Sequence, residues 1–296
     1  MGEVAFTHRE VASIDGELTS LEAARIPVLD RGFLYGDAVF EALRTYGGQP
    51  HALEEHVARL FRSAAIVGMD PGVLPSVLER EVSAAIHHCA ADDHYIRIIL
   101  TRGQGPFGLS LRGAGPSLRV ILVRPIAAPN EQLFRQGIRT ETVIVPPSRF
   151  LAGAKPSSYL TNLLALEHAQ KAGADDAFLL GEHGELLEGA TSSVFIVRNA
   201  QIETPTLALG ILPGITRDVV IALARDHAMP VRESLLTIHD AYRADEVFVT
   251  SSVREVVPVV AIDGQPVADG CPGPLTQRLI QAYRTRLRPP SSSTGP

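Results

Sequence analysis

The scarce residues say the most about chemistry. The chain carries 27 basic residues, of which only Lys155 and Lys171 are lysines and the rest are arginines. Codon bias toward arginine accounts for that composition at little physical cost, and it makes a surviving lysine informative. Lys171 precedes Ala172-Gly173 at an expected helix end, where a cation suits the C-terminal dipole. Lys155, in "LAGAKPSSYLTNLL", has no such role. A lysine amine forms a Schiff base with an aldehyde; a guanidinium stays protonated and does not.

Three further segments offer chemistry that combines with an amine. Arg59, in "EHVARL", lies on an amphipathic pattern. It reads either as a solvated arginine or as a phosphate ligand using its bidentate fork. Glu188, in "GELLEGATSSVF", follows a strand pattern. It is either an exposed loop glutamate or a carboxylate aimed at a pyridine nitrogen, which it would keep protonated. "LPGITRD" places Gly214 at a turn and opens a helical pattern near Thr216. Its N–H groups bind phosphate, or Thr216 is an ordinary N-cap. An amine, a carboxylate, two phosphate elements and a tyrosine just after the lysine together suit pyridoxal phosphate.

Two other motifs fail their context. "GQGPFG" at residues 103–108 is a literal G-x-G-x-x-G, but Pro106 sits inside it and no helix opens from it. "HHC" at residues 87–89 falls near a helix end, where adjacent side chains diverge, and no second ligand cluster accompanies it.

The elements that must position these residues follow from periodicity. "AVFEALRTYGGQP" reads as a strand closed by a Gly-Gly turn, and "ELTS" begins a short strand and connection. "ALEEHVARLFRSAAIVGM" is helical, with Leu53, Val57, Leu60, Phe61 and Ala64 on one face, and a second helix covers "PGVLPSVLEREVSAAIHHCA". "HYIRIILTRG" and "LRVILVRP" are apolar strands. "PIAAPNEQLFRQG" reads as a connection. Beyond it come the strand "RTETVIVPP", a helix over 159–172 with Leu160, Leu163, Leu164 and Leu166 as its apolar residues, and paired strands from "AFLL" to "QIETP". "GITRDVVIALARDHAM" is a helix, "DEVFVTSSVREVVPVVAIDG" returns to strand, and "GPLTQRLIQAYRTRL" is a last helix. The expectation is an α+β fold of two domains. The first is a smaller α/β domain over 1–125; a linker over 126–136 leads to a larger cofactor-binding domain over 137–288. A disordered tail over 289–296 follows.

Bulk composition narrows the class. Net charge is −6 with no long run of one sign, which argues against nucleic acid or an anionic membrane as the main partner. No apolar run spans a bilayer, no secretory signal is visible, and the two cysteines lie far apart, so a reduced cytoplasm is expected.

The ordered landmarks "LDRGFLYGDAVFEALRTY", "HVARL", "YIRIILTRGQGPFG", the lysine, "ELLEGATSSVF", "LPGITRD" and "DEVFVTSS" resemble the class IV aminotransferases, the fold-type IV pyridoxal phosphate enzymes. That group includes branched-chain and D-amino acid aminotransferases and aminodeoxychorismate lyases. The resemblance covers about residues 12–284. It implies that Lys155 carries the cofactor as a Schiff base, Glu188 meets the pyridine nitrogen and Arg59 binds phosphate. It also implies that Gly214, Ile215 and Thr216 form the phosphate-binding helix start, with Leu212 against the ring. Tyr159 resembles the tyrosine on the ring oxygen, although it lies one residue nearer the lysine than in branched-chain enzymes. Tyr95 and Arg97 match positions that support the substrate carboxylate, and Tyr35 and Phe40 match an apolar side-chain pocket.

The chain departs from the branched-chain pattern in three places. Ser251-Ser252-Val253 stands where those members read Gly-Thr-Ala, with Ser252 at a cofactor position and Val253 at a substrate position. Thr-Ser-Ser replaces a Gly-Glu-Asn type, and Ala42 replaces a glycine. These variants lie nearer the lyase and D-amino acid members. The resemblance implies a homodimeric transaminase with the cofactor between its domains. Its substrates would be small amino and keto acids, most simply an L-amino acid with a hydrophobic or branched side chain. An aminodeoxychorismate lyase, or a D-amino acid or amine transaminase, is the alternative.

Overall fold

The computed structural model describes residues 9–145 and 149–287; the expected tail lies outside them. The chain divides into two compact units, one of Met1–Ala128 with Gly153–Tyr159 and one of Pro129–Ala152 with Leu160–Pro296. The lysine segment therefore packs with the N-terminal unit, although in sequence it follows the first strand of the other.

The first unit contains β1 (Val11–Ile14), β2 (Glu17–Ser20), α1 (Arg31–Tyr35), β3 (Ala38–Tyr46), β4 (Gln49–Pro50), α2 (Leu53–Ile66), α3 (Pro75–His87), β5 (His94–Thr101) and β6 (Leu118–Pro125). Its sheet runs β2-β1-β6-β5-β3-β4. Antiparallel pairing of β3 with β5 sets Phe40 opposite Ile99, Glu41 opposite Ile98 and Ala42 opposite Arg97. Side chains alternate across a strand. Val39, Glu41 and Leu43 therefore share one face with Ile96, Ile98 and Leu100, while Phe40, Ala42 and Arg97 share the other. The first face is the core, closed by Val57, Leu60 and Ala64 of α2 and by Leu78 and Val82 of α3. At the end of α3, His87 and His88 turn their Nδ1 atoms to carbonyls one helical turn back, 2.6 and 2.8 Å away.

The second unit contains α4 (Glu131–Gln136), β7 (Ile138–Ile144), α5 (Leu160–Lys171), β8 (Asp176–Leu180), β9 (Leu186–Gly189), β10 (Ser193–Arg198) and β11 (Gln201–Pro205). It continues with α6 (Ile215–Asp226), β12 (Val231–Ser234), α7 (Ile238–Tyr242), β13 (Glu246–Ser251), β14 (Glu255–Ile262), β15 (Gln265–Pro266) and α8 (Pro274–Leu287). The sheet order is β12-β11-β10-β13-β14-β7-β8-β9, with β15 on β14. The main core gathers Phe178, Phe195 and Phe248 with Val220 and Leu223 of α6 and Leu279 and Tyr283 of α8. No helix among the described residues is long and apolar enough to cross a membrane.

The segment read as the linker holds a short helix, α4, and another, α1, begins where the connection after β2 ends. In α1, Asp30 accepts from Gly32 and Phe33 N–H, and Gly36 closes the turn at φ 67°. In α4, Asn130 caps the start and Gly137, at φ 73°, closes the end. Both are capped at each end and too short to show a period. Helix α5 is correct in place, but its buried residues are Ala165 and Ala169. Leu160, Leu163 and Leu164 are 60–66% exposed.

Helix α2 is held at its end by Arg102. The guanidinium donates to Gly68 O and Val67 O, each at 2.7 Å, and pairs with Asp37 at 2.8 Å. The last carbonyls of a helix lack intrahelical partners, and a cation there meets the negative dipole end. Arg102→Ala should cost about 3 kcal/mol, the range for breaking a buried pair. Urea unfolding measures this, and a midpoint equal to wild type contradicts it.

Candidate active site

Lys155 is fixed by its main chain before its side chain matters. Its carbonyl accepts from Phe40 N–H at 3.0 Å, and Ser157 N–H donates to Ala38 O at 2.8 Å. These bonds, with a bridge between Val39 and Pro156, lay the segment antiparallel along the edge of β3. Lys155 N–H donates to the Ser63 hydroxyl of α2 at 3.1 Å. Lys155 Nζ then lies 3.2 Å from Tyr159 Oη and 4.6 Å from the Phe40 ring centroid. The shorter spacing to Tyr159 thus still brings hydroxyl and amine together. Phe40 also packs edge-on against Tyr159 at 5.1 Å, and the Arg97 guanidinium lies 4.0 Å from the Phe40 ring centroid. The faces of β3 and β5 that point away from the helices therefore bring Lys155, Tyr159, Phe40 and Arg97 together.

On the core face of β3, Glu41 is fully buried. Its Oε1 accepts from Arg59 Nε at 2.8 Å and its Oε2 from Arg59 Nη2 at 2.7 Å. Oε2 also accepts from His56 Nδ1 at 2.7 Å. Burial alone would raise the Glu41 pKa; the Arg59 bonds and charge, then His56, outweigh it and hold the carboxyl down at about 2. Burial pushes His56 below its ordinary 6.5, against the pull of Glu41, and the Arg59 and Lys155 charges add to the lowering. A neutral His56 that donates through Nδ1 leaves Nε2 as an acceptor, and Nε2 is buried without a hydrogen-bond partner.

In the second unit, Glu188 is the penultimate residue of β9, and its Oε2 accepts from Leu212 N–H at 3.3 Å. Gly214 is the N-cap of α6 and has no side chain to cap it. A Cβ there would stand 2.5 Å from Ser193 Oγ and 3.1 Å from Arg217 Cβ, so a side chain would have to displace that hydroxyl. Ile215 and Thr216 open α6 and are buried, and Thr216 Oγ1 lies 3.4 Å from Ser252 Oγ. The buried Arg217 reaches Glu233 at 2.9 Å and Pro205 O at 3.2 Å, which ties the first turn to the sheet. Glu188, Leu212, Gly214, Ile215, Thr216 and Ser252 thus form one connected set, with Val253 next along the chain.

Two expected residues stand apart from the amine. Tyr35 is 37% exposed, under the Arg31 guanidinium at 5.0 Å, and its hydroxyl accepts from Gly108 N–H at 3.0 Å. Tyr95 shares the Arg97 face of β5, opposite Arg44 of β3 rather than Phe40. Sequence reasoning missed Glu41, His56 and Ser63. A signal was present. Glu41 breaks an apolar face between Val39 and Leu43, and His56 and Ser63 lie in helical register with Arg59. A charge in a core register needs a partner.

The chain is similar to known proteins along most of its length. Residues 38–262 match the model of amino-transferase class IV. A Methanocaldococcus jannaschii protein assigned provisionally as a branched-chain-amino-acid aminotransferase is 37% identical, over 92% of this chain and 94% of its own. A D-alanine aminotransferase of Bacillus licheniformis is 31% identical, over 95% and 98%. Among solved structures, a branched-chain amino acid aminotransferase from T.th., with pyridoxamine 5'-phosphate, matches at TM-score 0.89 and 31% identity over 96% of each chain.

The lowered pKa of His56 has a measurable consequence. The unfolded chain takes up a proton near 6.5 that the folded chain resists, so the wild type loses stability as pH falls below 6.5. The loss from Glu41 comes lower, between its ordinary 4.5 and about 2. His56→Gln should be less stable than wild type at pH 8, and the difference in Tm should narrow toward pH 5. A difference that stays constant with pH refutes the buried neutral imidazole.

Proposed function

Because the chain belongs to the class IV aminotransferases, which use pyridoxal phosphate, we propose that it moves the amino group of a hydrophobic L-amino acid onto a 2-keto acid. One observation carries the reading: the Phe40 ring holds the Lys155 amine and the Arg97 guanidinium together. An amine that can lose and regain a proton thus stands beside a cation suited to a carboxylate, against an aromatic surface.

The residues present fit the cofactor. Lys155 supplies the amine for its aldehyde, and Glu188 a carboxylate for its ring nitrogen. Arg59, the N–H groups at the start of α6 and the hydroxyls of Thr216 and Ser252 suit its phosphate. Leu212 offers an apolar contact for the ring. The hydroxyls of Ser192 and Thr250 are also buried without partners, and Thr250 pairs in register with Ser193, against which Gly214 packs. Pyridoxal phosphate, when bound, supplies the electron sink that lets the substrate Cα–H bond break as a proton.

The chain's own side chains do the rest. Lys155 Nζ, as a neutral amine, takes that proton and gives it back. Tyr159 Oη fixes the position of Nζ. Arg97, with Tyr95 on the same strand face, takes the substrate carboxylate, and Phe40 packs on the side chain. Glu188 would hold a proton at the ring nitrogen of the bound cofactor.

We further assign Tyr35 and Val253 to the substrate pocket, and a homodimer to the solution state. The homodimer is supported by Leu160, Leu163 and Leu164, which spread an exposed apolar stripe along α5. Exposed Cys271 is a free thiol, which suits the cytoplasm as its setting. The D-alanine aminotransferase relative and the Thr-Ser-Ser loop favour a second reading, a D-amino acid donor.

A donor panel on the purified yellow enzyme decides among these. L-leucine should change the colour and D-alanine should not. The reverse result overturns the L-amino acid reading, and pyruvate release from aminodeoxychorismate overturns transamination. Lys155→Ala should lower turnover by at least about 10³-fold; turnover near the wild-type rate removes Lys155 from the mechanism.

A further inference from the structure

Arg59 is not a lone basic residue facing outward; it is the middle member of a buried array. On α2, His56, Arg59 and Ser63 follow at i, i+3 and i+7, which places them on one face of the helix. All three are buried. Ser63 accepts from Lys155 N–H, and Arg59 and His56 both donate to Glu41. One helix face therefore fixes the main chain that carries the amine and the guanidinium assigned to phosphate.

The contact between Glu41 and Arg59 is directional. The carboxylate takes the Nε–Nη2 edge of the guanidinium, so the planar group is held side-on. A guanidinium held by that edge turns its Nη1 end away from the carboxylate, since the fork is rigid. His56 occupies the second acceptor site of Oε2 and so keeps the carboxylate from rotating.

A purely structural role explains this array poorly. Glu41 lies between Val39 and Leu43 in the core, where an apolar side chain would pack without desolvating a charge. Replacing a buried ion pair with apolar residues is often neutral or stabilising. His56 adds a second cost, a buried Nε2 with no partner, which leucine would avoid. Groups this costly to bury are explained if what they hold must not move.

We propose that Glu41, braced by His56, is a positioning residue that orients Arg59 toward the cofactor phosphate while the same face of α2 fixes Lys155 through Ser63. The proposal rests on the reading of Arg59 as a phosphate ligand. Glu41 makes no contact with the cofactor in this scheme and acts only through Arg59. Its carboxylate repels a phosphate, so its contribution is orientation rather than charge.

The test compares two probes that differ only in the phosphate: pyridoxal phosphate and pyridoxal. Each is titrated into the full chain freed of cofactor, followed by absorbance. The wild type should prefer the phosphorylated probe. Arg59→Met should remove most of that preference. Glu41→Gln should weaken pyridoxal phosphate binding by about 10-fold or more, the range for positioning residues behind a ligand, and change pyridoxal binding by less than about 2-fold. In an Arg59→Met background, Glu41→Gln should change the preference no further, because coupled residues are not additive.

The outcomes separate. If Arg59→Met keeps the full preference, the phosphate reading fails and the inference with it. If Arg59→Met loses the preference and Glu41→Gln keeps it, the inference alone fails. Equal loss for both probes in Glu41→Gln marks a structural role and also overturns it. Should Glu41→Gln not fold, His56→Leu takes its place. It leaves the ion pair intact, and it should lower the preference by a few-fold; an unchanged preference there overturns the inference.

Discussion

The register of β3 against β5 is the constraint on which the first unit's chemistry depends. Phe40 and Glu41 are neighbours in sequence and face opposite sides of the sheet. Phe40 meets the Lys155 amine and the Arg97 guanidinium; Glu41 meets Arg59 and His56. A slip of one residue would send the aromatic ring into the core and the carboxylate out of it. The slip is costly because Val39 and Leu43 are fully buried on the same face as Glu41. Apolar burial thus sets the register, and the register assigns the two polar tasks.

The edge of β3 adds a second use. Phe40 N–H would be an unpaired edge donor without Lys155 O, and the bonded pair turns an edge liability into an anchor. A lysine side chain is long and flexible, so an amine with a defined place needs a main chain that does not move. Lys155 has both backbone groups satisfied, one by β3 and one by α2. The aromatic surfaces of Phe40 and Tyr159 then limit where Nζ can go. In the second unit the same economy appears in backbone form: Gly214 lets the start of α6 approach β10, and Arg217 ties that turn to the sheet.

Much of this was legible in the sequence, for reasons that differ from residue to residue. The long helices α2, α3, α6 and α8 and the strands β3, β5 and β6 carry clear periods and appear where expected. Helices α1 and α4 do not, because five or six residues held by end caps show no period. On α5 the leucines are the large apolar residues, yet Ala165 and Ala169 are the ones inside. Apolar character marks a surface that favours contact, and it does not say whether that contact lies within the chain. Lys155 stood out as a scarce lysine, and Glu188 and the α6 start stood out through local signals, the end of a strand pattern and a glycine turn before a helical one. Glu41 and His56 are separated from each other by a turn and from Lys155 by about a third of the chain. Their roles exist only once the sheet is assembled.

The buried pair of Glu41 and Arg59 also limits how this site can vary. Removing either partner leaves a charge in the core, which costs far more than the pair contributes. The two positions are therefore coupled, and change at one demands change at the other. Phe40 and Arg97 meet through a ring contact rather than a buried ion pair, and Arg97 keeps contact with solvent. Under the proposed function, substitutions on their face of the sheet change which side chain is accepted without touching the guanidinium assigned to phosphate. In that reading the strand separates two tasks: its core face orients the phosphate ligand, and the opposite face serves the amine and the substrate.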